Sequence, residues 1–520
     1  MRIEQVLLSH CRRQPEKLAL VFGEERVSYR ELGQRIRALA AGLAAQGLKP
    51  GDRAVLYMPN STEFVEAFFG VLAAGGIPIP VTARLTTREV RYFCEDSGAR
   101  LLVCHADQAA AVREVVQETI EGLAVHVTGG PVPGMPSFEA LRGNPETPLP
   151  VLSTDQDEAA ILYTSGTTGR PKGVLLTHAN ILIQHGYMNA VEWGISGDDR
   201  YLVAAPMAHR AGMGRMINSM MLGGTLFVVG QFVPETVMDI IEREQITVFG
   251  MVPTMCRMLL PALEAEPHRA ASLRRLAVTG EAFPVALKMR MIELLPQMRL
   301  VSFFGMTEAG GVTTLLHDEQ FEHADSVGRP SAGVEVRIVD EDGRQVETGG
   351  IGELLVRSGR PGAFTIMKGY FARPEESAQA LRDGWFHTGD MAREDEDGYL
   401  YIVDRKKDMI LSGGFNIYSK EVELTIAELR GVGDVAVVGV PDPVFGEAVV
   451  AIIEPASGTT PPDEAAVVDH CKASIAGYKK PKHVLYRDAL PRNATGKVLK
   501  RELAAEVARQ LGVDAAGAAA

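Results

Sequence analysis

Cysteine is scarce in this chain of 520 residues, which contains five, none of them in a C-x-x-C spacing. An odd number of scattered cysteines argues against a disulfide framework and a structural zinc site, and it favours a reducing compartment. Long apolar runs are missing as well, because every apolar region is interrupted by glycine or polar residues before it could span a bilayer. The N-terminal stretch has charges throughout and no signal-peptide run. We therefore expect a cytoplasmic protein without stable membrane insertion.

The chain also has no long run of basic residues. Lys and Arg number 53 against 66 Asp and Glu, which gives a net charge of −13. Nucleic acid and anionic membrane surfaces are therefore poor candidate partners. With 46% hydrophobic residues, the composition is that of a globular protein, and the length predicts two or more domains.

A stretch rich in glycine and hydroxyl groups, residues 163–173, reads YTSGTTGRPKG. Glycine lets a backbone turn bring its N–H groups close to an anion, and Lys172 adds a mobile charge, so the stretch is typical of a phosphate-binding loop. It is not a Walker A element, because Arg170 and Pro171 precede the lysine and an apolar run follows it. We expect the loop to join two strands; a surface turn without a ligand is the alternative.

Apolar strands alternate with helices over most of the chain, which predicts an α/β fold with parallel sheets. Ser28 followed by Glu31 has the spacing of a capping box and predicts a helix start. Turn-rich strands over residues 330–403 predict a β-rich subdomain within a large region, 1–403. The charged run 404–408 is a plausible boundary, after which 409–520 suffice for a small α+β domain.

Chemically distinctive residues follow several predicted strands. They are His209, the Gly280-Glu281-Ala282 segment and residues 305–308. Since ligands of open α/β sheets collect beyond the carboxyl ends of the strands, these segments are expected to share one cleft with the loop.

Five segments together resemble the signature set of the adenylate-forming superfamily of acyl-CoA synthetases, adenylation domains and luciferases. They are residues 163–173, 304–308, 388–390, 404–423 and 491–497, in the family's order over essentially the whole chain. The resemblance implies an AMP-forming acid–thiol ligase that uses ATP, Mg²⁺ and coenzyme A. In such enzymes a carboxylate attacks the α-phosphorus of ATP to give an acyl-adenylate and pyrophosphate, and a thiol then displaces AMP.

The resemblance also implies roles for single residues. The phosphates of ATP would be held by Thr164, Ser165, Gly166, Thr167, Thr168, Gly169 and Lys172. Adenine and ribose would be bound by Gly280, Glu281, Ala282, Phe304, Gly305, Met306, Thr307, Asp390 and Arg405. Glu308 would hold Mg²⁺, and Lys497 would be the catalytic lysine that reaches the cleft from the C-terminal domain. Without the resemblance, Glu308 would be interpreted as an acid in a helix first turn, Asp390 as a turn residue and Lys497 as a surface charge.

Further positions match the family's hinge, its thiol path and its acyl pocket. The hinge residue would be Lys407, and the side facing coenzyme A would be Gly413, Gly414, Phe415 and Asn416. His209 would lie near the reacting carboxylate, with a core histidine as the alternative. The acyl pocket would be lined by Ala211, Gly212, Met213, Gly310, Gly311 and Val312, which are small or apolar and predict an open, apolar pocket. Arg210 would repel an ammonium group, and it could attract a second carboxylate if it points inward.

These matches predict an acyl-CoA ligase for a hydrophobic acid, either aliphatic or aryl. One alternative is an acyl-AMP ligase that loads a carrier protein, although no carrier domain is fused here. Another is a non-catalytic nucleotide-binding regulator, against which the joint presence of Lys172, Glu308 and Lys497 argues. A homodimer is the assembly we expect.

Overall fold

The computed structural model describes residues 1–152, 157–164, 170–492 and 497–513. The chain forms two compact units, and each is discontinuous in sequence. The first consists of Met1–Val336 and Val356–Phe386, and the second of Arg337–Leu355 and His387–Ala520. The second unit thus combines the C-terminal part of the chain with a segment from its middle.

A nine-stranded sheet forms a large part of the first unit. In spatial order its strands are β15 (Arg329–Pro330), β14 (Gly310–Leu315), β13 (Arg299–Met306), β12 (Arg275–Val278), β11 (Val248–Met251), β9 (Arg200–Val203), β10 (Thr225–Val228), β1 (Leu18–Phe22) and β2 (Glu25–Ser28). From β13 to β1 all neighbours are parallel, and both edges are antiparallel. Three helices follow the central strands: α9 (Pro234–Glu244), α10 (Pro253–Ala265) and α11 (Val285–Leu294). Their buried apolar faces form one core with the sheet, as the alternation of apolar strands and helices predicted.

A second, fully parallel sheet of the first unit has the order β4 (Ile77–Val81), β3 (Arg53–Tyr57), β5 (Leu101–His105) and β6 (Ala124–Thr128). The N-terminal helices are α1 (Ile3–Arg13), α2 (Tyr29–Ala45), α3 (Thr62–Ala73), α4 (Thr87–Ser97) and the short α5 (Ala109–Val112). Ser28 Oγ accepts the N–H of Glu31 at 3.2 Å, and the Glu31 carboxylate accepts the N–H of Ser28 at 2.9 Å. The predicted capping box at the start of α2 is therefore confirmed.

The glycine-rich loop lies between two strands of a small antiparallel sheet. These are β7 (Glu158–Thr164) and β8 (Lys172–Thr177), and β18 (Gly369–Tyr370) pairs with the other side of β8. Thr164 and Lys172 are direct partners in the register. The prediction that the loop joins two strands is confirmed.

After β8 the chain forms a helix that winds more widely in its middle. It begins with α6 (His178–Ile181), continues as a π-helix over Leu182–Met188 and ends with α7 (Asn189–Trp193). Helix α8 (Arg210–Leu222) follows β9 and has almost no exposed residue. The sequence pattern did not indicate α8, because glycine, arginine, asparagine and serine interrupt its apolar positions.

The second unit contains two sheets. One has the order β16 (Glu335–Val339), β17 (Gly352–Arg357), β19 (Phe386–Glu394) and β20 (Leu400–Arg405). In its first three strands, residues 335–336, 356–357 and 386 belong to the first unit's sequence. The other contains β22 (Phe415–Ile417), β21 (Ile410–Ser412), β24 (Gly446–Pro455) and β23 (Val432–Asp442), with β25 (His483–Tyr486) beside β24. The helices are α13 (Ser419–Ala427), α14 (Glu464–Ser474) and α15 (Lys500–Leu511), and α12 (Pro374–Ala380) belongs to the first unit.

This architecture confirms the predicted fold class: parallel α/β sheets, a β-rich subdomain and an α+β C-terminal portion. Among the described residues, no helix combines the length and the apolar character that crossing a bilayer would require.

Candidate active site

Both ends of the glycine-rich loop are fixed to helix α4. On the entry side, the Tyr163 hydroxyl donates to Oδ2 of Asp96 at 2.8 Å, and the Tyr163 ring stacks on Phe93 with 4.2 Å between centroids. On the exit side, the Tyr92 hydroxyl donates to the carbonyl oxygen of Pro171 at 3.0 Å. Since α4 carries all three anchors, it sets the position of Tyr163 and Pro171 on the two sides of the loop.

Oxygen donors and one cation converge next to the loop. The Tyr370 hydroxyl lies 3.3 Å from Oε1 of Glu308, and the Thr164 hydroxyl lies 3.5 Å from the same oxygen. The Lys172 ammonium stands over the Tyr370 ring, 5.2 Å from its centroid. Burial, and then the Glu308 carboxylate, raise the pKa of Tyr370, so its hydroxyl stays protonated and available as a donor.

Glu308 lies in a turn between two antiparallel strands, β13 and β14, and not in a helix. The alternative interpretation of Glu308 as a helix first-turn acid is therefore wrong. Its carbonyl oxygen accepts the N–H of Met367 at 2.7 Å, which ties the turn to the segment before β18. Of the predicted phosphate-binding residues, Thr164 lies beside this carboxylate and Lys172 lies over the ring of Tyr370. Ser165, Gly166, Thr167, Thr168 and Gly169 lie outside the described residues.

The donor set at Glu308 fits a hard divalent cation. One carboxylate and two neutral hydroxyl oxygens suit Mg²⁺, which usually takes one or two protein carboxylates and completes its shell with phosphate oxygens and water. No group of three or more His, Cys, Asp or Glu side chains that could hold a metal ion occurs within the described part of the chain. A site of this kind would hold Mg²⁺ firmly only together with an anionic ligand such as a polyphosphate.

Several of the predicted site residues follow parallel strands whose carboxyl ends share one edge of the large sheet. His209 comes after β9, the 280–282 segment after β12, and residues 304–307 close β13 and enter the turn that follows it. No side chain can be accommodated at Gly305, because a Cβ there would lie 2.3 Å from the carbonyl oxygen of Gly310. Glu281 accepts the Thr254 hydroxyl at 3.2 Å. These segments thus follow the carboxyl ends of parallel strands in one sheet, and their sharing one cleft with the loop stays a prediction.

His209 and Arg210 stand at the start of α8. Nε2 of His209 is buried and has no hydrogen-bond partner among the described residues, and burial, followed by Arg84, lowers the pKa of His209. Nη1 of Arg210 donates to the carbonyl oxygen of Thr307, next to Glu308. Burial lowers the pKa of Arg210 to about 10, and Glu308 opposes this shift. Both side chains therefore point into the protein rather than to solvent.

The residues predicted to line the acyl pocket lie on α8 and β14. Met213 and Val312 are fully buried, and the N–H of Gly311 donates to Oε1 of Gln184 at 2.8 Å. A Cβ on Gly310 would lie 2.7 Å from Gln184 and 2.9 Å from Arg210. Ala211 lines a cavity of about 10 Å³ that Arg215 also lines. Polar side chains from the π-helix and α8 thus accompany the small, apolar residues that the sequence singled out.

In the second unit, Asp390 and Arg405 are direct partners across the antiparallel strands β19 and β20. Nε of Arg405 lies 2.6 Å from Oδ1 of Asp390, whose side chain is only 3% exposed. The backbone N–H of Asp390 donates to the Thr388 hydroxyl at 3.0 Å, and Gly389 has a φ of +69°. Two residues predicted to contact one ribose therefore form a preorganised pair.

Lys497 is exposed and directly precedes Val498, which pairs with Arg492. Three residues later, the Lys500 ammonium lies 2.6 Å from Oε1 of Glu423 and donates to the Ser419 hydroxyl at 2.7 Å. These contacts fix the start of α15 to α13, so the chain immediately after Lys497 is held in place.

Lys407 is exposed in a turn that directly follows β20. The N–H groups of Asp408 and Met409 both donate to the carbonyl oxygen of Arg405, at 2.9 and 3.1 Å. Gly413 and Gly414 have φ of +59° and +82°, which favour glycine. The Phe415 ring stacks on Tyr478 with 4.5 Å between centroids, and both rings are about half exposed. An exposed aromatic pair thus follows this glycine turn.

Sequence reasoning missed several residues that the site depends on: Tyr92, Asp96, Gln184, Arg215 and Tyr370. None of them belongs to a segment whose local composition indicates a site. Tyr370 is the clearest case, because it reaches Glu308 only through the pairing of β18 with β8. A glycine–aromatic pair in an otherwise ordinary segment was the only available signal.

Comparison with known proteins gives the same picture over the whole chain. Residues 7–371 match the family described as AMP-binding enzyme, and residues 421–497 match the AMP-binding enzyme C-terminal domain. A feruloyl-CoA synthase of an Amycolatopsis species is 37% identical over 495 residues, which cover 95% of this chain and 96% of the relative. The long-chain-fatty-acid–CoA ligase FadD13 of Mycobacterium tuberculosis is 34% identical over 484 residues, covering 92% of each chain.

A solved structure is also similar to this chain over nearly its whole length. The crystal structure of ATP-bound MatB from Rhodopseudomonas palustris superimposes with a TM-score of 0.88 at 30% identity, and the match covers 98% of this chain and all of that one. The similarity therefore extends through both units of the chain.

Proposed function

Because this chain belongs to the family of AMP-binding enzymes and is an ATP-dependent acyl-CoA ligase, we propose the residues that perform its two half-reactions and the acid that it activates. The enzyme uses ATP, Mg²⁺ and coenzyme A, joins a carboxylic acid to the thiol and releases AMP and pyrophosphate. The observation that carries the assignment of residues is that the Thr164 and Tyr370 hydroxyls both lie beside Glu308, with the Lys172 ammonium over the Tyr370 ring.

In the first half-reaction an oxygen of the acid attacks the α-phosphorus of ATP, and the bond from that phosphorus to pyrophosphate breaks. Negative charge builds on the leaving pyrophosphate, so positive charge and hydrogen-bond donors beside it accelerate the step. We assign this role to Lys172 and the Thr164 hydroxyl. Glu308 would hold Mg²⁺, which supplies further positive charge when bound, and Tyr370 would orient the carboxylate by its hydrogen bond.

The remaining roles fall to residues at strand ends and in the second unit. We propose that the 280–282 segment and residues 304–307 bind adenine, and that Asp390 accepts the ribose hydroxyls while Arg405 holds its carboxylate in place. Lys497 stabilises the charge on the attacking carboxylate and the α-phosphate, and Lys407 is the hinge residue. Gly413, Gly414, Phe415 and Asn416 face coenzyme A in the second half-reaction.

In the second half-reaction the thiol sulfur attacks the acyl carbonyl carbon, the bond to the phosphate oxygen of AMP breaks, and the thiol proton is lost. Burial lowers the pKa of His209, which keeps its imidazole neutral near neutral pH. A neutral imidazole at the start of α8 can orient the acyl carboxylate by a hydrogen bond without adding a charge. We assign His209 this positioning role.

The acid is proposed to have an apolar body, aliphatic or aryl, that lies along α8 and β14. This is supported by Ala211, Met213 and Val312 among the residues there, and by the acids named for two relatives, ferulate and long-chain fatty acids. An acyl-AMP ligase that loads a carrier protein would use the same first half-reaction but would not respond to coenzyme A.

A pyrophosphate-release assay over a panel of carboxylic acids tests this function. Each acid is assayed with ATP and Mg²⁺, with and without coenzyme A, and the thioester is measured in parallel. We expect stoichiometric AMP, pyrophosphate and acyl-CoA for at least one class of acid with an apolar body. Adenylate that accumulates and is not consumed by coenzyme A would contradict the proposal.

We also propose that the enzyme works in the cytoplasm as a homodimer. The cytoplasm is supported by five free thiols, none of them in a disulfide. Light scattering of the purified protein would measure the assembly, and a mass equal to one chain would exclude the homodimer.

A further inference from the structure

Arg215 is the most deeply buried arginine near the residues predicted to line the acyl pocket. The residue is 3% exposed and lies in the middle of α8. Its Nη1 atom is shielded from solvent and has no hydrogen-bond partner among the described residues. A buried guanidinium normally has a carboxylate or several carbonyl oxygens as partners, because an unpaired charge in the interior is costly.

The position of this side chain is built into the fold. Its guanidinium carbon lies over the Trp193 ring, 4.6 Å from the centroid. Its methylene groups lie where strand β11 has no side chain: a Cβ on Gly250 would come within 2.5 Å of Cδ and 2.6 Å of Cγ of Arg215. The glycine on one side and the indole on the other fix the direction of the arginine. The contact with the indole leaves Nη1, which has no partner in the described chain, for a hydrogen-bonding ligand.

Among the residues that the structure describes, none forms an ion pair with Arg215. Burial lowers the pKa of Arg215 to about 10, and among the described residues only Tyr201 opposes this shift. Burial and then Arg210 and Arg215 lower the pKa of the fully buried His185, so the imidazole is neutral. Nη2 of Arg210 is a second buried nitrogen without a partner in the described chain. Within the described chain, Arg215 thus has no carboxylate partner, whereas Glu308 partly offsets the charge of Arg210.

Arg215 faces a cavity that contains predicted substrate-binding residues. The cavity has a volume of about 10 Å³, enough for one water molecule, and its walls include Ala211, Gly250, Ala277, Thr279 and Phe303. Ala211 belongs to the predicted acyl pocket, and Thr279 directly precedes the 280–282 segment. Three of these wall residues are alanine or glycine, so the space near the guanidinium can widen only when Arg215 itself or a neighbouring side chain moves.

We propose that Arg215 binds a second carboxylate at the far end of the acid, so that the enzyme prefers dicarboxylic acids over monocarboxylic acids of the same length. This inference rests on the proposed function, because it takes the acyl chain to lie along α8. Arg215 follows His209 by six residues, which corresponds to a rise of roughly 9 Å along a helix. The two carboxylates would therefore be separated by a distance on the order of one short acyl chain. A planar guanidinium edge binds a carboxylate through two parallel hydrogen bonds.

The test compares linear dicarboxylic acids with their monomethyl esters, which have the same length but lack the second charge. The wild-type enzyme is expected to show a higher kcat/KM for the diacids in pyrophosphate release. Arg215→Met should lower kcat/KM for the diacid by about 100-fold. The kcat/KM for the monoester should stay unchanged or rise. Arg215→Lys keeps the positive charge but cannot form two parallel hydrogen bonds to a carboxylate. Its kcat/KM for the diacid should lie between the values of the wild type and of Arg215→Met. Arg243→Met, an exposed arginine of α9, is the matched control.

A second variant protects the test against a folding defect. Gly250→Ala adds a single methyl group that collides with the Arg215 methylenes, and it should reduce the diacid preference although the arginine remains. Thermal unfolding of each variant shows whether the protein is folded.

The outcomes separate the two proposals. If the wild type activates monoesters or fatty acids as well as diacids, and Arg215→Met leaves their ratio unchanged, Arg215 is a structural residue and this inference is overturned. If no acid of any class releases pyrophosphate, the proposed function fails and this inference fails with it.

Discussion

The hydroxyl of Tyr370 lies 3.3 Å from Oε1 of Glu308, although the two residues are 62 positions apart. The contact exists because β18 pairs with β8, the strand that begins with Lys172. The short strand β18 thus carries a tyrosine whose hydroxyl lies beside Glu308 and whose ring lies under the Lys172 ammonium.

Tyr370→Phe removes this hydrogen bond and leaves the ring beneath Lys172. Loss of one hydrogen bond to a charged group is expected to reduce ATP–pyrophosphate exchange about 10-fold and to raise the Mg²⁺ concentration needed for half-maximal rate. Tyr187→Phe, in which the changed side chain is 63% exposed, is the control. An unchanged Mg²⁺ dependence would contradict the positioning role of Tyr370.

Lys497→Ala should separate the two half-reactions. If the Lys497 ammonium acts in the transition state as proposed, its removal is expected to slow adenylate formation by about 100-fold to 1,000-fold. Conversion of preformed acyl-adenylate to the thioester should stay largely intact, because that step displaces AMP without attack at phosphorus. Quenched-flow measurements of each step decide the matter, and Lys472→Ala, an exposed lysine of the same unit, serves as the control. Equal losses in both steps would refute the assignment.

Asp390→Asn should weaken nucleotide binding. The substitution leaves Arg405 opposite a neutral amide, and the ribose loses a charged acceptor, so the KM for ATP is expected to rise about 10-fold or more. The change should spare the KM for the acid, and Asp397→Asn in the exposed turn after β19 is the comparison. Should the KM values of ATP and the acid rise together, Asp390 would be acting on folding and not on the ribose.

Lys407→Pro fixes the backbone φ near −65° at the proposed hinge. If this residue must change conformation between half-reactions, thioester formation should fall several-fold more than ATP–pyrophosphate exchange. Lys407→Ala removes the same side chain without the backbone constraint and should leave both activities close to wild type. Similar losses in both assays with the proline variant would show that residue 407 is not a hinge.

Much of the architecture follows from local sequence. Capping residues and short apolar strands predict the alternation of helices and strands, and the start of α2 at Ser28 is confirmed by its hydrogen bonds. Helix α8 is different, because Arg215, Asn218 and Ser219 are buried where an amphipathic pattern would place apolar residues. Their environment is formed by segments that are distant in sequence, and the periodicity of apolar residues within the helix cannot predict it.

The candidate site likewise contains residues that local sequence predicts and residues that it does not. The glycine-rich loop and Glu308 stand in recognisable motifs, and the structure places Thr164 beside the glutamate and Lys172 over the Tyr370 ring. Tyr370 and Arg215 have no motif. Tyr370 depends on strand pairing, and Arg215 depends on the missing side chain of Gly250, so both roles arise from tertiary contacts between residues far apart in sequence.

The ion pair of Asp390 with Arg405 predicts that binding of the ribose and binding of the phosphates depend differently on salt concentration. The pair has no net charge and would receive the neutral hydroxyls of a ribose, so ionic strength should hardly change this interaction. Lys172 would meet a polyphosphate, and that attraction is screened over a Debye length of about 8 Å at physiological ionic strength. Added salt should therefore weaken ATP binding far more than adenosine binding, which a salt titration of both ligands would measure.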